Sequence, residues 1–339
     1  MVTDKFKKIK IPILLRTKFN LYFVLLHIFK NSEFLINGKK KALIEINKKT
    51  SLKNFDNSPK EVERKKNLSE KDFLKYLKAG VPVIFDKEAL EWPATKKWSF
   101  DFLEEHYGDE KFPIVSKKGL DEKYQDPSLP KDGEMISIKE LVKSWKNKEN
   151  NYLRFCKIME FFPELQKDFN LSWLEKMRQC FIGFSYQSFI GPAKRVTTWH
   201  CGMTAFFFVT VTGTKDWEMY PADLSPLMNV GHDGFGYYFS DKDEDEISEL
   251  IKEIKPYKCT LEPGDILFIP AWMWHRVENQ TDTIGVSYRF ANIRGILRFP
   301  VLTTIRFFFT NPSFLTVIKN SFKKKSDHDN ALTPKLYVK

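Results

Sequence analysis

The chain has 339 residues, a formal charge of +11, 42% apolar residues and 31 phenylalanines. The length allows one large domain or two small ones with a substantial core. The excess lysine is scattered, apart from Lys323-Lys324-Lys325, and no recognition motif accompanies it, which argues against a nucleic-acid partner. Cys156, Cys180, Cys201 and Cys259 form no CxxC pair and no disulfide framework, which fits a reducing, cytoplasmic setting.

Residues 1–66 read as an appendage and linker. Phe19 to Phe29 is strongly apolar between Arg16, Lys18 and Lys30, too short for a comfortable membrane span of about 20 residues. It suits an interfacial helix or a helix docked on the body. Residues 38–66 are rich in Lys, Asn and Ser and read as linker. Leu68 to Leu77 has helical apolar spacing, with Ser69 as cap, Asp72 three residues on, and Ala79-Gly80 as its end. Val81 to Phe85 reads as a strand, Trp98 to Tyr107 and Ile136 to Trp145 as helices, and 116–133 as turn-rich.

From Cys180 the period changes to two. Phe181–Phe189, Arg195–Trp199, Ala205–Val211, Lys215–Tyr220, Asp265–Ile269, Arg276–Asn279 and Thr283–Arg289 read as short strands of an antiparallel sandwich or barrel. Residues 221–258 form a long insert with Gly231 to Gly236 and an acidic helix, the natural place for a substrate loop. Residues 293–325 turn basic and aromatic, and 326–339 read as a disordered tail. Segments 11–30 and 296–319 together suggest either a membrane-peripheral surface or a homodimer interface or helical buttress.

Two pieces carry the chemistry. Thr197-Thr198-Trp199-His200-Cys201-Gly202 leads through an apolar strand to Gly213-Thr214-Lys215, and Glu262-Pro263-Gly264-Asp265 leads to Pro270 and Trp274-His275. Two histidines beside barrel strands can hold one metal ion, since neutral imidazole suits iron, zinc, copper or nickel. A lysine pointing into a barrel is costly unless an anion meets it. Cys201 should face away from His200.

This combination resembles the cupin-like, JmjC-type 2-oxoglutarate/Fe(II) oxygenases, relatives of the asparaginyl hydroxylase of hypoxia-inducible factor. The resemblance covers roughly 68–292 and includes Trp92-Pro93, Trp98-Ser99 and Phe161-Phe162-Pro163-Glu164-Leu165. It implies a mainly β fold, a double-stranded β-helix (jelly-roll, cupin) core with N-terminal helices and a C-terminal helical appendage. The cupin-like domain would span 67–292, with its metal-site core at about 180–292. His200 and His275 match the iron ligands. Lys215 matches the lysine on the distal carboxylate of 2-oxoglutarate, and Thr197 a hydroxyl on the same carboxylate. Asp265 reads as structural, and Trp274 is expected to pack beside the metal.

The departure is Gly202, where the family has a carboxylate completing the facial triad. Three readings stay open. The site has lost iron and the protein is a cupin-like binding module. Or Fe(II) binds through two histidines and 2-oxoglutarate, with water or chloride at the open position, giving a hydroxylase or a halogenase. Or His232, Asp233 or Glu218 supplies the third ligand. The substrate is left as a small molecule, a lipid or a peptide.

Overall fold

The computed structural model describes residues 11–50, 60–113, 135–147, 151–179, 183–231 and 237–308. Its core is a double-stranded β-helix of two facing, largely antiparallel sheets. One runs in the order Lys60–Glu61, Tyr257–Leu261, Lys215–Tyr220, Trp274–Asn279, Val196–Gly202, Tyr237–Phe239. The other runs Arg64–Lys65, Val83–Phe85, Ile266–Ile269, Ala205–Thr212, Thr283–Phe290, Gly183–Gly191, Leu153–Cys156.

Strand Ala205–Thr212 shows where the phenylalanines go. Phe206 and Phe208 face the space between the sheets. Phe207 and Val209 face outward into a core shared with Phe73, Phe85 and Phe268. A sheet covered on both faces needs apolar residues at nearly every position, so the strand shows no polar alternation. Helix Glu70–Ala79 supplies the cover. Ser69 caps it by accepting from the Asp72 amide at 3.1 Å, and Gly80 ends it with φ of 69°.

The back of the histidine-bearing sheet is covered by the terminal helices. Phe19 and Phe23 of helix Ile13–Ile28 and Ile305 of helix Pro300–Phe308 join Trp199, Tyr238 and Trp272 in one core. The first helix leaves Leu14, Leu21 and Ile28 exposed on its other side. No helix among the described residues is long and apolar enough to cross a membrane.

Three expectations about elements change. Much of the supposed linker 38–66 is structured: helix Glu33–Lys49 buries Leu35, Ala42, Leu43 and Ile46, and Lys60–Glu61 and Arg64–Lys65 join the two sheets. The helical spacing of those four residues was masked by the lysines between them. The helix expected at Trp98–Tyr107 starts at Phe100, because Ser99 caps it and Trp98, which closes a separate short helix Pro93–Lys97, turns inward to donate to Asp168 at 2.7 Å. Ile136 belongs to a short strand, and the helix starts at Ile138 with a capping box between Ser137 and Glu140. The turn-rich stretch 116–133, Cys180, His232, Asp233 and everything beyond 308 lie outside the described residues.

Asp265, fully buried, ties the Pro-Gly-Asp turn to the chain's start. It accepts from Arg64 at 3.0 Å, from the Glu262 amide at 2.9 Å and from the Lys87 amide at 3.3 Å. Asp265→Ala removes one of the two carboxylates paired with Arg64, leaving Asp86 at 3.1 Å, and takes the side-chain acceptor from two amides. We expect it to destabilise the fold by about 1–3 kcal/mol for each buried amide left unpaired, read as a fall in the denaturant midpoint with the slope unchanged.

Candidate active site

Strands Val196–Gly202 and Trp274–Asn279 run antiparallel with His200 opposite His275. Their ring centroids are 4.0 Å apart. Nδ1 of His200 lies 2.7 Å from the Thr198 carbonyl, and Nδ1 of His275 lies 2.9 Å from the Met273 carbonyl. A carbonyl only accepts, so each Nδ1 carries the hydrogen and each Nε2 presents a lone pair. Burial pushes His200 down to about 4. Burial, then the neighbouring His200, pushes His275 well below its ordinary value. Both rings are therefore neutral near pH 7, the form that ligates metal.

A β-bulge adds a third group to this face. Thr197 pairs with Val277 while His200 pairs with His275, so three steps on one strand match two on the other. The extra residue turns Thr197 inward with His200, although their odd spacing would put them on opposite faces of a regular strand. Cys201 stays on the outer face, buried in the terminal-helix core.

Lys215, 1% exposed, donates to Asn279 Oδ1 at 2.6 Å and to the Tyr152 hydroxyl at 3.1 Å. Asn279 is its cross-strand partner. Burial lowers the Lys215 pKa. Arg154 is equally buried. Its Nε donates to Thr197 Oγ1 at 3.1 Å and its Nη2 to the Val196 carbonyl at 2.8 Å, while Nη1 is buried without a partner. Burial brings the guanidinium down to about 10. An irregularity between Leu153 and Cys156, with Phe155 held at φ of 56°, breaks the strand's alternation after Arg154, so that Phe155 also lines the space between the sheets. No aspartate or glutamate among the described residues pairs with either cation. Two buried positive charges and an orphaned N–H are what a site for an anionic carboxylate requires.

At the other end of the histidine pair, Gly202 lies opposite Tyr237 of the insert's strand. Arg289, from the facing sheet, reaches the same space. The pocket between the sheets has an open volume of about 590 Å³ and is lined by His200, His275, Lys215, Thr197, Gly202 and Arg289 among others, with no acidic residue among the described ones.

Of the candidate third ligands, Glu218 does not complete the triad, and His232 and Asp233 lie outside the described residues. Glu218 faces the outer side and pairs with Lys258 at 2.6 Å and Arg276 at 3.5 Å. No group of three His, Cys, Asp or Glu able to hold a metal occurs among the described residues. Trp274 does not flank the histidines: strand alternation sends it outward, where it donates to Ser225 at 2.9 Å. Trp217 takes that place, stacked on His275 at 5.8 Å. Tyr152, Arg154, Asn279 and Arg289 were not foreseen. The signal for the two arginines was a lone cation inside an apolar run, at Leu153-Arg154-Phe155 and Tyr288-Arg289-Phe290.

Two facing sheets around a histidine pair and a buried lysine define a cupin-type barrel. The chain belongs to the cupin-like domain family, whose profile matches residues 69–295, and the resemblance to JmjC-type oxygenases holds at this level. It is 28% identical over 261 residues to the lysine-specific demethylase JMJ21 of Arabidopsis thaliana, covering 72% of this chain and 26% of that protein. It is 26% identical over 249 residues to the lysine-specific demethylase JMJ30 of the same plant, covering 69% and 55%. It is 23% identical over 248 residues to the 2-oxoglutarate and iron-dependent oxygenase JMJD4 of Gallus gallus, covering 65% and 57%. The chain thus spans from about a quarter to somewhat over half the length of these curated relatives.

Proposed function

We propose that the chain is a 2-oxoglutarate- and Fe(II)-dependent oxygenase with a two-histidine metal site. The observation that carries this is the pair of buried cations, Lys215 and Arg154, set beside two neutral imidazoles. A protein with no anionic ligand to bind would gain by losing those charges.

In this reading His200 and His275 hold the metal through Nε2. Lys215 and the orphaned Nη1 of Arg154 grip the distal carboxylate of 2-oxoglutarate. Thr197, which accepts from Arg154, fixes that guanidinium and offers its hydroxyl proton to the same carboxylate. Iron with 2-oxoglutarate supplies the oxygen activation that attacks an unactivated C–H bond. Whether oxygen or a halide is transferred is set by what fills the gap at Gly202.

Two of the relatives above are named lysine-specific demethylases, and another, from Arabidopsis thaliana, an arginine-specific demethylase. A pocket lined by Lys215 and Arg289, backed by Arg154 and without a described acidic residue, suits a neutral or anionic group better than a cationic side chain.

The test is an anaerobic titration of the metal-free protein with Fe(II) and 2-oxoglutarate, followed by visible absorption. A charge-transfer band that needs both components is expected. No band and no retained iron would leave a cupin-like binding protein.

A further inference from the structure

We propose that Arg289 makes the space beside Gly202 a seat for a small anion, a carboxylate or a halide, where the lost ligand carboxylate would have been. This deepens the oxygenase reading, on which it rests only for the use made of the anion.

The argument starts from donor counting. A guanidinium has five N–H groups. Nε and Nη2 of Arg289 donate to Thr204 Oγ1 at 2.9 and 2.6 Å. Nη1 donates to Gln187 Oε1 at 3.1 Å and to the Tyr237 hydroxyl. These four bonds lock the group in place, and every acceptor is neutral. The one remaining N–H is on Nη2. A Cβ built at Gly202 would sit 3.7 Å from that same Nη2. The spare donor therefore faces the space that an aspartate side chain would enter.

Charge points the same way. Arg289 forms no ion pair with a described carboxylate, and none lines the pocket. Among the described residues, nothing nearby offsets the guanidinium. Had the carboxylate been lost alone, the gap would be neutral. Here it faces a fixed cation held by Thr204, Gln187 and Tyr237, and a positive, partly dehydrated space with a free N–H selects an anion. The Tyr237 ring, 3.2 Å from the built Cβ, walls one side and keeps the space small.

The Lys215–Arg154 end is a separate anion position, since Lys215 and Gly202 lie on opposite sides of the histidine pair along the strands. That separation makes the test specific.

The experiment uses metal-free full-length protein and follows the chloride NMR line width, with acetate as competitor. The wild type should broaden the line. Arg289→Gln should reduce the protein-dependent broadening by on the order of tenfold, as loss of one charge-assisted hydrogen bond implies. Lys215→Ala should keep it. Gly202→Asp, which leaves Arg289 in place but fills the seat with a tethered carboxylate, should abolish it and serves as the second variant should Arg289→Gln fold poorly. Displacement by acetate at concentrations similar to chloride assigns the seat to a carboxylate-bearing molecule. Preference for chloride assigns it to free halide. Broadening unchanged in both Arg289→Gln and Gly202→Asp, or absent from the wild type, overturns the proposal. None of these readouts needs iron, so a failed iron titration and a failed anion seat are distinguishable.

Discussion

Lys215→Met should abolish measurable 2-oxoglutarate binding without lowering the melting temperature of the metal-free protein. The first half follows from the ammonium's surroundings. Its two partners, Asn279 and Tyr152, are neutral, so the charge is left for a ligand to meet. Removing one partner of a buried charge pair costs about 2–5 kcal/mol of binding. The second half separates a binding lysine from a structural one. Methionine fills similar volume and removes an ammonium whose burial costs several kcal/mol. Against this stands the Asn279 carbonyl left unpaired, worth about 1–3 kcal/mol. The sum is near zero or favourable. Linkage gives an independent check. Burial lowers the Lys215 pKa below 10.5, so the unfolded chain holds that proton more tightly. The penalty is complete below the folded pKa and fades as pH climbs toward 10.5. Lys215→Met should therefore flatten part of the alkaline rise in metal-free stability. Titration calorimetry and melting curves across pH read both halves. A Lys215→Met protein that melts well below wild type, with intact 2-oxoglutarate affinity, would make the lysine structural.

What could be read from the sequence was what lies in regular register. His200 and His275 each sit on an apolar strand at the end of a recognisable run, and cross-strand pairing brings them together. Lys215 is placed by its match to the family's pattern, with the cost of an inward lysine in support. Arg154 escaped because 153–156 does not read as a strand: the irregularity at Phe155 breaks its period of two, and no local pattern announces that. Arg289 escaped for a different reason: its significance depends on Gly202, which lies on the other sheet and is distant in sequence. Trp274 was assigned to the site through proximity to His275, when strand alternation alone excludes it. Helix Glu33–Lys49 shows the reverse error, a real apolar stripe hidden by composition. In each miss the deciding fact was a contact between elements or a departure from period two.

Gly202→Asp by itself should restore little metal affinity, and Gly202→Asp combined with Arg289→Leu should restore much more than the two changes separately. A carboxylate at 202 supplies the anionic oxygen that two imidazoles lack. In the existing pocket it emerges beside Nη2 of Arg289, 3.7 Å from its own Cβ. The guanidinium then competes with the metal for the same oxygens, and its charge opposes a dication. The ring of Tyr237, 3.2 Å from that Cβ, must also shift by a few tenths of an ångström. Replacing Arg289 with leucine removes the competitor, the repulsion and one of the hydrogen bonds to Tyr237. Neighbouring groups that compete in this way couple by about 0.5–3 kcal/mol, and this pair should lie in the upper half of that range. Mn(II) is a suitable probe, since its free form is counted directly by electron paramagnetic resonance. Affinities for the wild type, both single variants and the double variant close the cycle. If Gly202→Asp binds Mn(II) as tightly with Arg289 as without it, the guanidinium does not control the gap, and glycine at 202 needs another explanation. If the coupling is found, the loss of the carboxylate and the presence of the arginine are one change: the chain has exchanged a metal ligand for a place to hold an anion.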